Sequence, residues 1–151
     1  MPERNLVLRL AMSAIPERPS KTSVVEGCSL FNSLGQDARQ DLIERSFLAY
    51  AERGEMIWSA GAPADFVAIV GVGFVKMTKA THHGQEVAVE MLGPGQCFGL
   101  LAAIEGRTFP LAAVAVTNAW YLKIPSRTLL PHYQASGAFK DLVVRNLGPR
   151  L

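Results

Sequence analysis

The chain has 151 residues, the length of one domain, and 49% of them are apolar against 19% charged, which is enough apolar material for a sizeable core. Fifteen Lys and Arg against thirteen Asp and Glu leave a net charge of +2, too little to argue for a nucleic-acid surface. No stretch reaches the ~20 apolar residues of a membrane helix, and two cysteines, Cys28 and Cys97, fall short of the roughly four ligands of an iron–sulfur cluster.

The segment Asn5–Ile15 is apolar but broken by Arg9, which makes it a poor secretion signal. Pro16, Pro19, Ser20 and Lys21 follow, so residues 1–24 are expected to form a flexible arm, with a short docked amphipathic helix as the alternative. Two lone thiols behind no secretion signal point to a reducing compartment, hence a cytoplasmic protein. Ser33 and Gln36 fit the S-x-x-Q capping box, and Leu34, Ala38, Leu42 and Ile43 then recur near helical spacing, which predicts a helix over 34–46.

From Phe47 to Ile124 short apolar runs alternate with glycine-containing breaks. The runs are Glu55–Trp58, Phe66–Val70, Phe74–Thr81, Glu86–Leu92, Gln96–Phe98, Leu111–Val116 and Ala119–Ile124. Strands this short and this regularly broken predict an antiparallel sandwich or barrel. Within Glu86–Leu92, Val87, Val89 and Met91 share one face, and Glu86, Ala88 and Glu90 the other. Gly84 should supply the positive φ of a hairpin turn between Thr78 and Glu86. After Pro125, Ser126 is expected to cap a short turn that Pro131 ends or bends. Ser136 then opens a helix with Phe139, Leu142, Val143 and Leu147 on one face, stopped at Gly148-Pro149.

Arg53–Asp65, the run Val67–Met77 with its Gly73-Phe-Val-Lys76, His83-Gly-Gln-Glu86, Leu92–Gly99 and Arg107–Ala115 together resemble, in order and spacing, the sensor domain at the front of Crp/Fnr transcription regulators, the cyclic-nucleotide-binding type. The resemblance covers about residues 30–135. It implies a mainly β fold, an antiparallel double-stranded β-helix (jelly-roll) barrel with flanking N- and C-terminal helices. With the arm read at 1–24, the chain is expected to divide further into the sensor domain at 25–135 and the start of a dimerisation-type helix at 136–151. The resemblance also implies a regulatory domain rather than an enzyme, a homodimer in the full-length protein, and DNA contact only through a C-terminal domain absent from this chain.

By the same resemblance, the ligand pocket falls at Phe98, Gly99, Leu100, Leu101, Arg107, Phe109, Pro110, Leu111 and Ala112. The family holds a cyclic phosphate there with a Glu for the ribose and an Arg beside Ser or Thr for the phosphate. The Glu position falls at Leu100, and the Arg-Ser pair falls within Phe109-Pro110-Leu111, so both anchors are missing. Removing such a partner costs roughly 2–5 kcal/mol, so cAMP and cGMP are not expected as ligands. Arg107 is the one nearby replacement. The apolar residues suit haem, another small-molecule effector, or an unoccupied packed core.

His82-His83 should sit exposed at the hairpin tip, His132 at the surface and Cys97, just ahead of the pocket, as a buried inert thiol; the alternatives are haem ligation by His132 or Cys97, or oxidant sensing by Cys97 if its thiolate is stabilised. Adjacent strand residues point to opposite faces, so the histidine pair is a poor basis for a cupin-type metal site with Glu86. A ligand-free dimerisation or scaffold domain is the other alternative. No Ser-His-Asp order, P-loop or dinucleotide fingerprint is present.

Overall fold

A computed structural model describes residues 15–147. Helix α1 (Lys21–Glu26), a 3-10 turn (Ser29–Ser33) and α2 (Gln36–Arg45) precede strands β1 (Phe47–Ala51), β2 (Met56–Trp58), β3 (Phe66–Val72), β4 (Val75–Ala80), β5 (Glu86–Leu92) and β6 (Cys97–Phe98). Then follow α3 (Leu100–Glu105), β7 (Ala112–Ala115), β8 (Ala119–Pro125), α4 (Ser126–Ala135) and α5 (Gly137–Leu147). The strands form two antiparallel four-stranded sheets, ordered β1-β8-β3-β6 and β2-β7-β4-β5. The expected jelly roll is present as two facing sheets; among the described residues no ladder joins them into a closed barrel.

Strand β3 sets the layers. Val67, Ala68, Ile69 and Val70 are all fully buried. Alternation turns Val67 and Ile69 toward Val25, Phe31, Leu42, Leu129 and Phe139 of the helical segments. It turns Ala68 and Val70 toward Val75, Phe98 and Ala113, which belong to the other sheet and to β6. A strand covered on both faces reads as a continuous apolar run, as this one does. Each large side chain so buried contributes about 1.5–3 kcal/mol of transfer free energy.

Among the described residues, the second sheet is covered on one face only. Met56, Val87, Val89 and Met91 stand about half exposed on the other. The alternation in β5 is therefore real, but its apolar set faces solvent while Leu92 is buried inside. Thr81, Gln85 and Gly84 close the β4–β5 hairpin as expected, with Gly84 at φ +77°.

Several local expectations are corrected. The helix predicted over 34–46 starts later, at Gln36 with Gly35 as its cap, because Ser33 is used in the 3-10 turn and its Oγ donates to Leu30 O at 3.0 Å. Strand β1 was not among the predicted runs. Helix α4 does not end at Pro131 but continues to Ala135; Arg127 and Pro131 are exposed, so water can serve the carbonyl that proline cannot. Ser126 does not cap it, its hydroxyl donating instead to Ala64 O at 2.7 Å. Ser136 does cap α5, accepting from Phe139 N at 3.1 Å.

Most of the arm expected over 1–24, and the stop at Gly148-Pro149, lie outside the described residues. Where the arm is described it is docked. Ser20 Oγ accepts from Ser23 N at 3.0 Å, Val24 and Val25 are buried, and Trp120 Nε1 donates to Pro16 O at 3.0 Å. The boundary drawn at residue 24 thus falls inside α1. Among the described residues no helix is long and apolar enough to cross a membrane.

Candidate functional site

The chain leaves β6 through Gly99, at φ +84°. A Cβ there would lie 2.8 Å from Trp58 and 3.0 Å from Phe109, so only glycine lets the backbone press onto that aromatic pair before α3 begins. Trp58 and Phe109 stack at 3.8 Å and 6°, and Phe98 and Phe66 lean on Trp58 at 5.0 and 5.4 Å. Trp58 Nε1 donates to Leu111 O at 2.9 Å, which fixes the indole.

The segment after α3 is held by its own backbone. Phe109 N donates to Ala62 O at 2.8 Å, Gly61 N to Phe109 O at 2.7 Å, and Arg107 N to Ala102 O at 3.0 Å. These donors are committed to the fold.

The elements enclose a cavity of about 220 Å³. Of the residues expected from sequence, Phe98, Gly99, Leu100, Leu101, Phe109, Pro110 and Leu111 line it. Ala112 does not; it is buried in β7 opposite Thr78. Arg107 does not either. Its Nε lies 3.2 Å from Glu105 Oε2 and its side chain is 76% exposed.

Met77, Glu90, Leu92, Cys97 and Ala102 complete the wall and lie outside the pocket expected from sequence. The first three come from β4 and β5, whose hairpin the sequence announces without saying which of its faces turns toward the cavity. Among the described residues Glu90 is the one carboxylate in the lining. Burial pushes the Cys97 thiol well above its ordinary value, so it stays protonated near neutrality.

The cavity as packed does not fit haem. It is smaller than the ~300–1,000 Å³ of pockets for drug-sized ligands, and among the described residues no histidine lines it. His132 is engaged elsewhere, with Nε2 2.6 Å from Asp41 Oδ2. His82 and His83 are exposed in the hairpin turn, and Glu86 accepts from Thr78 Oγ1 at 3.0 Å. Among the described residues no three His, Cys, Asp or Glu gather where a metal ion could be held. A larger hollow of about 500 Å³ lies on that hairpin, but Thr81, His82, Val87 and Val89 in its wall are all exposed, which makes it a surface dip rather than a built site.

A search of curated proteins gave no match. Among solved structures, the chain superposes on a cyclic nucleotide binding protein from Ruegeria pomeroyi with a TM-score of 0.75 at 22% identity, over 86% of this chain and 59% of that one. It therefore spans about three-fifths of that protein's length. The sensor domain of the transcriptional regulator DNR from Pseudomonas aeruginosa matches with a TM-score of 0.75 at 20% identity, over 86% of this chain and 92% of that one. The N-terminal domain of a transcriptional regulator from Streptomyces coelicolor matches at 0.67 and 21%, over 84% and 91%. These likenesses establish the fold. The profile of the cyclic nucleotide-binding domain matches residues 48–135, more than half of the sequence and the whole of the cavity wall, and on that match the chain belongs to the cyclic nucleotide-binding domain family.

Proposed function

We propose that this chain is the effector-sensing domain of a Crp/Fnr-type transcription regulator, working in the cytoplasm as part of a homodimer, and that its effector is small, uncharged and largely apolar rather than cAMP or cGMP. The observation that carries the reading is the wall of the 220 Å³ cavity, which among the described residues is built almost wholly of aromatic and aliphatic side chains such as Phe98, Leu100, Leu101, Phe109 and Leu111. A cyclic phosphate placed there would lose its solvation against largely apolar side chains. Arg107, aimed at solvent beside Glu105, is not positioned to offset that. The domain acts by binding, not by catalysis. Its effector would shift a conformational equilibrium only by contacting two arrangements differently, and α5, which follows the sheets, is the element through which such a shift would leave the domain.

Thermal melting tests this. Millimolar cAMP and cGMP should leave the midpoint unchanged, while small apolar probes such as indole should raise it, because selective binding to the folded state adds RT ln(1 + [L]/Kd). Leu101→Phe should abolish the probe's effect by filling its space. A clear rise with cAMP would overturn the reading. The Trp58–Phe109 stack, which already fills much of the region, favours one second reading, a domain that only dimerises; no response to any probe, with a stable dimer, would select it.

A further inference from the structure

The fold brings together the two cysteines that the sequence keeps far apart. Cys28 opens the 3-10 turn, with its N donating to Val25 O and its O accepting from Phe31 N, both at 3.1 Å. Cys97 begins β6 opposite Ile69. Gly95, two residues before Cys97, is pressed against Gly27, one residue before Cys28; a Cβ at Gly95 would lie 2.7 Å from Gly27 O. Both cysteines also line one cavity of about 170 Å³, shared with Ser29, Gln96 and Asn146. Cys97 belongs to the wall of the 220 Å³ cavity as well, so its side chain stands at the partition between the two spaces. Both are free thiols.

We propose that Cys28 and Cys97 are a thiol pair that closes into a reversible intrachain disulfide on reaction with a hydroperoxide. Cys97 bounds both cavities, so a hydroperoxide entering either space meets it first. Its thiolate attacks the terminal peroxide oxygen, an S–O bond forms, the O–O bond breaks, and the alkoxide or hydroxide leaves and takes a proton. The Cys28 thiolate then attacks the sulfenic sulfur, an S–S bond forms, and hydroxide leaves to become water. Two thiols and one hydroperoxide thus give one disulfide, water and an alcohol or second water, with two electrons passing to the peroxide. A dithiol reductant reverses it.

The link would tie the strand that feeds α3 to the 3-10 turn. That turn is stacked on α5 through Phe31 and Phe139 at 5.5 Å. Oxidation at the cavity wall would therefore be felt in the helical layer. Burial raises both thiols above their ordinary value, Cys28 less so because backbone hydrogen bonds from Phe31 and Leu30 oppose the rise. Thiolate is scarce at neutral pH, so the reaction is slow there and accelerates as pH rises.

The test treats the full chain with hydrogen peroxide at about pH 8.5, blocks the remaining thiols, and reads intact mass and tryptic peptides. The expected result is a monomer lighter by two hydrogens, a peptide joining Cys28 to Cys97, full reversal by dithiothreitol, and a melting midpoint raised by on the order of 10 °C through loop closure. Cys28→Ser should leave a sulfenic acid at Cys97 that dimedone traps. Both thiols still open to alkylation, linkage only between chains, or separate overoxidation of each thiol in the wild type would overturn the proposal, whatever the variant does.

Discussion

A methyl group at Gly99 would meet Trp58 at 2.8 Å and Phe109 at 3.0 Å while the backbone holds φ at +84°. Gly61 has nearly the same φ, +89°, but open space around it. The two positions separate backbone strain from crowding. Gly61→Ala should cost about 1–2 kcal/mol for the left-handed conformation alone. Gly99→Ala should cost about 2–4 kcal/mol, since the rigid stacked rings must also shift. Urea denaturation of the two variants checks this, and equal losses would refute the crowding. The sequence marks both glycines as corners, yet only the packing of Trp58 shows why Gly99 matters to the cavity.

At the level of elements, strands bounded by strong turn signals were legible. Glu86–Leu92 matches its predicted run end to end because the His82-His-Gly84 turn and Gly93-Pro-Gly95 leave it no freedom. Strand β1 lacks such marks: its Phe47-Leu-Ala-Tyr-Ala51 is fixed by pairing with β8 across seventy-odd residues, Phe47 opposite Lys123. The pocket's near wall was legible for a similar reason, since Phe98–Leu101 and Phe109–Leu111 are each contiguous. Glu90 was not, because which face of β5 turns inward depends on the whole sheet. The same holds for the link between α2 and α4. His132 Nε2 lies 2.6 Å from Asp41 Oδ2 and Arg45 Nε 2.9 Å from Asp41 Oδ1, and these partners, His132 first, hold the Asp41 carboxyl below its usual range. A carboxyl lowered by folding stabilises the fold above its unfolded value of about 3.9 and loses that contribution as pH falls through the folded value. His132→Ala should move Asp41 upward in an NMR titration, part of the way only, since Arg45 remains. An unmoved Asp41 would show that the contact contributes nothing in solution.

For the molecule as a whole, the middle sheet serves two cores, and the outer one depends on segments from both ends of the described chain. Val24, Val25 and Phe31 come from the beginning and Leu129, Phe139 and Val143 from the end, and all close over Val67, Ile69, Leu122 and Ile124. Phe139 is the keystone of that closure. It is fully buried, stacks on Phe31 at 5.5 Å, and meets Tyr133 edge-on at 5.9 Å. The inter-sheet core does not include it. Phe139→Ala should therefore cost about 3–5 kcal/mol, and do so unevenly. Amides of α5 and of the 3-10 turn should lose hydrogen-exchange protection first, while β3 and β8 keep theirs until global unfolding. Phe31→Ala should produce the same pattern, and the double variant should cost less than the sum, because the two rings share one contact. Uniform loss of protection across sheets and helices would mean that the layers unfold as one unit, and that α5 cannot respond separately to events at the cavity.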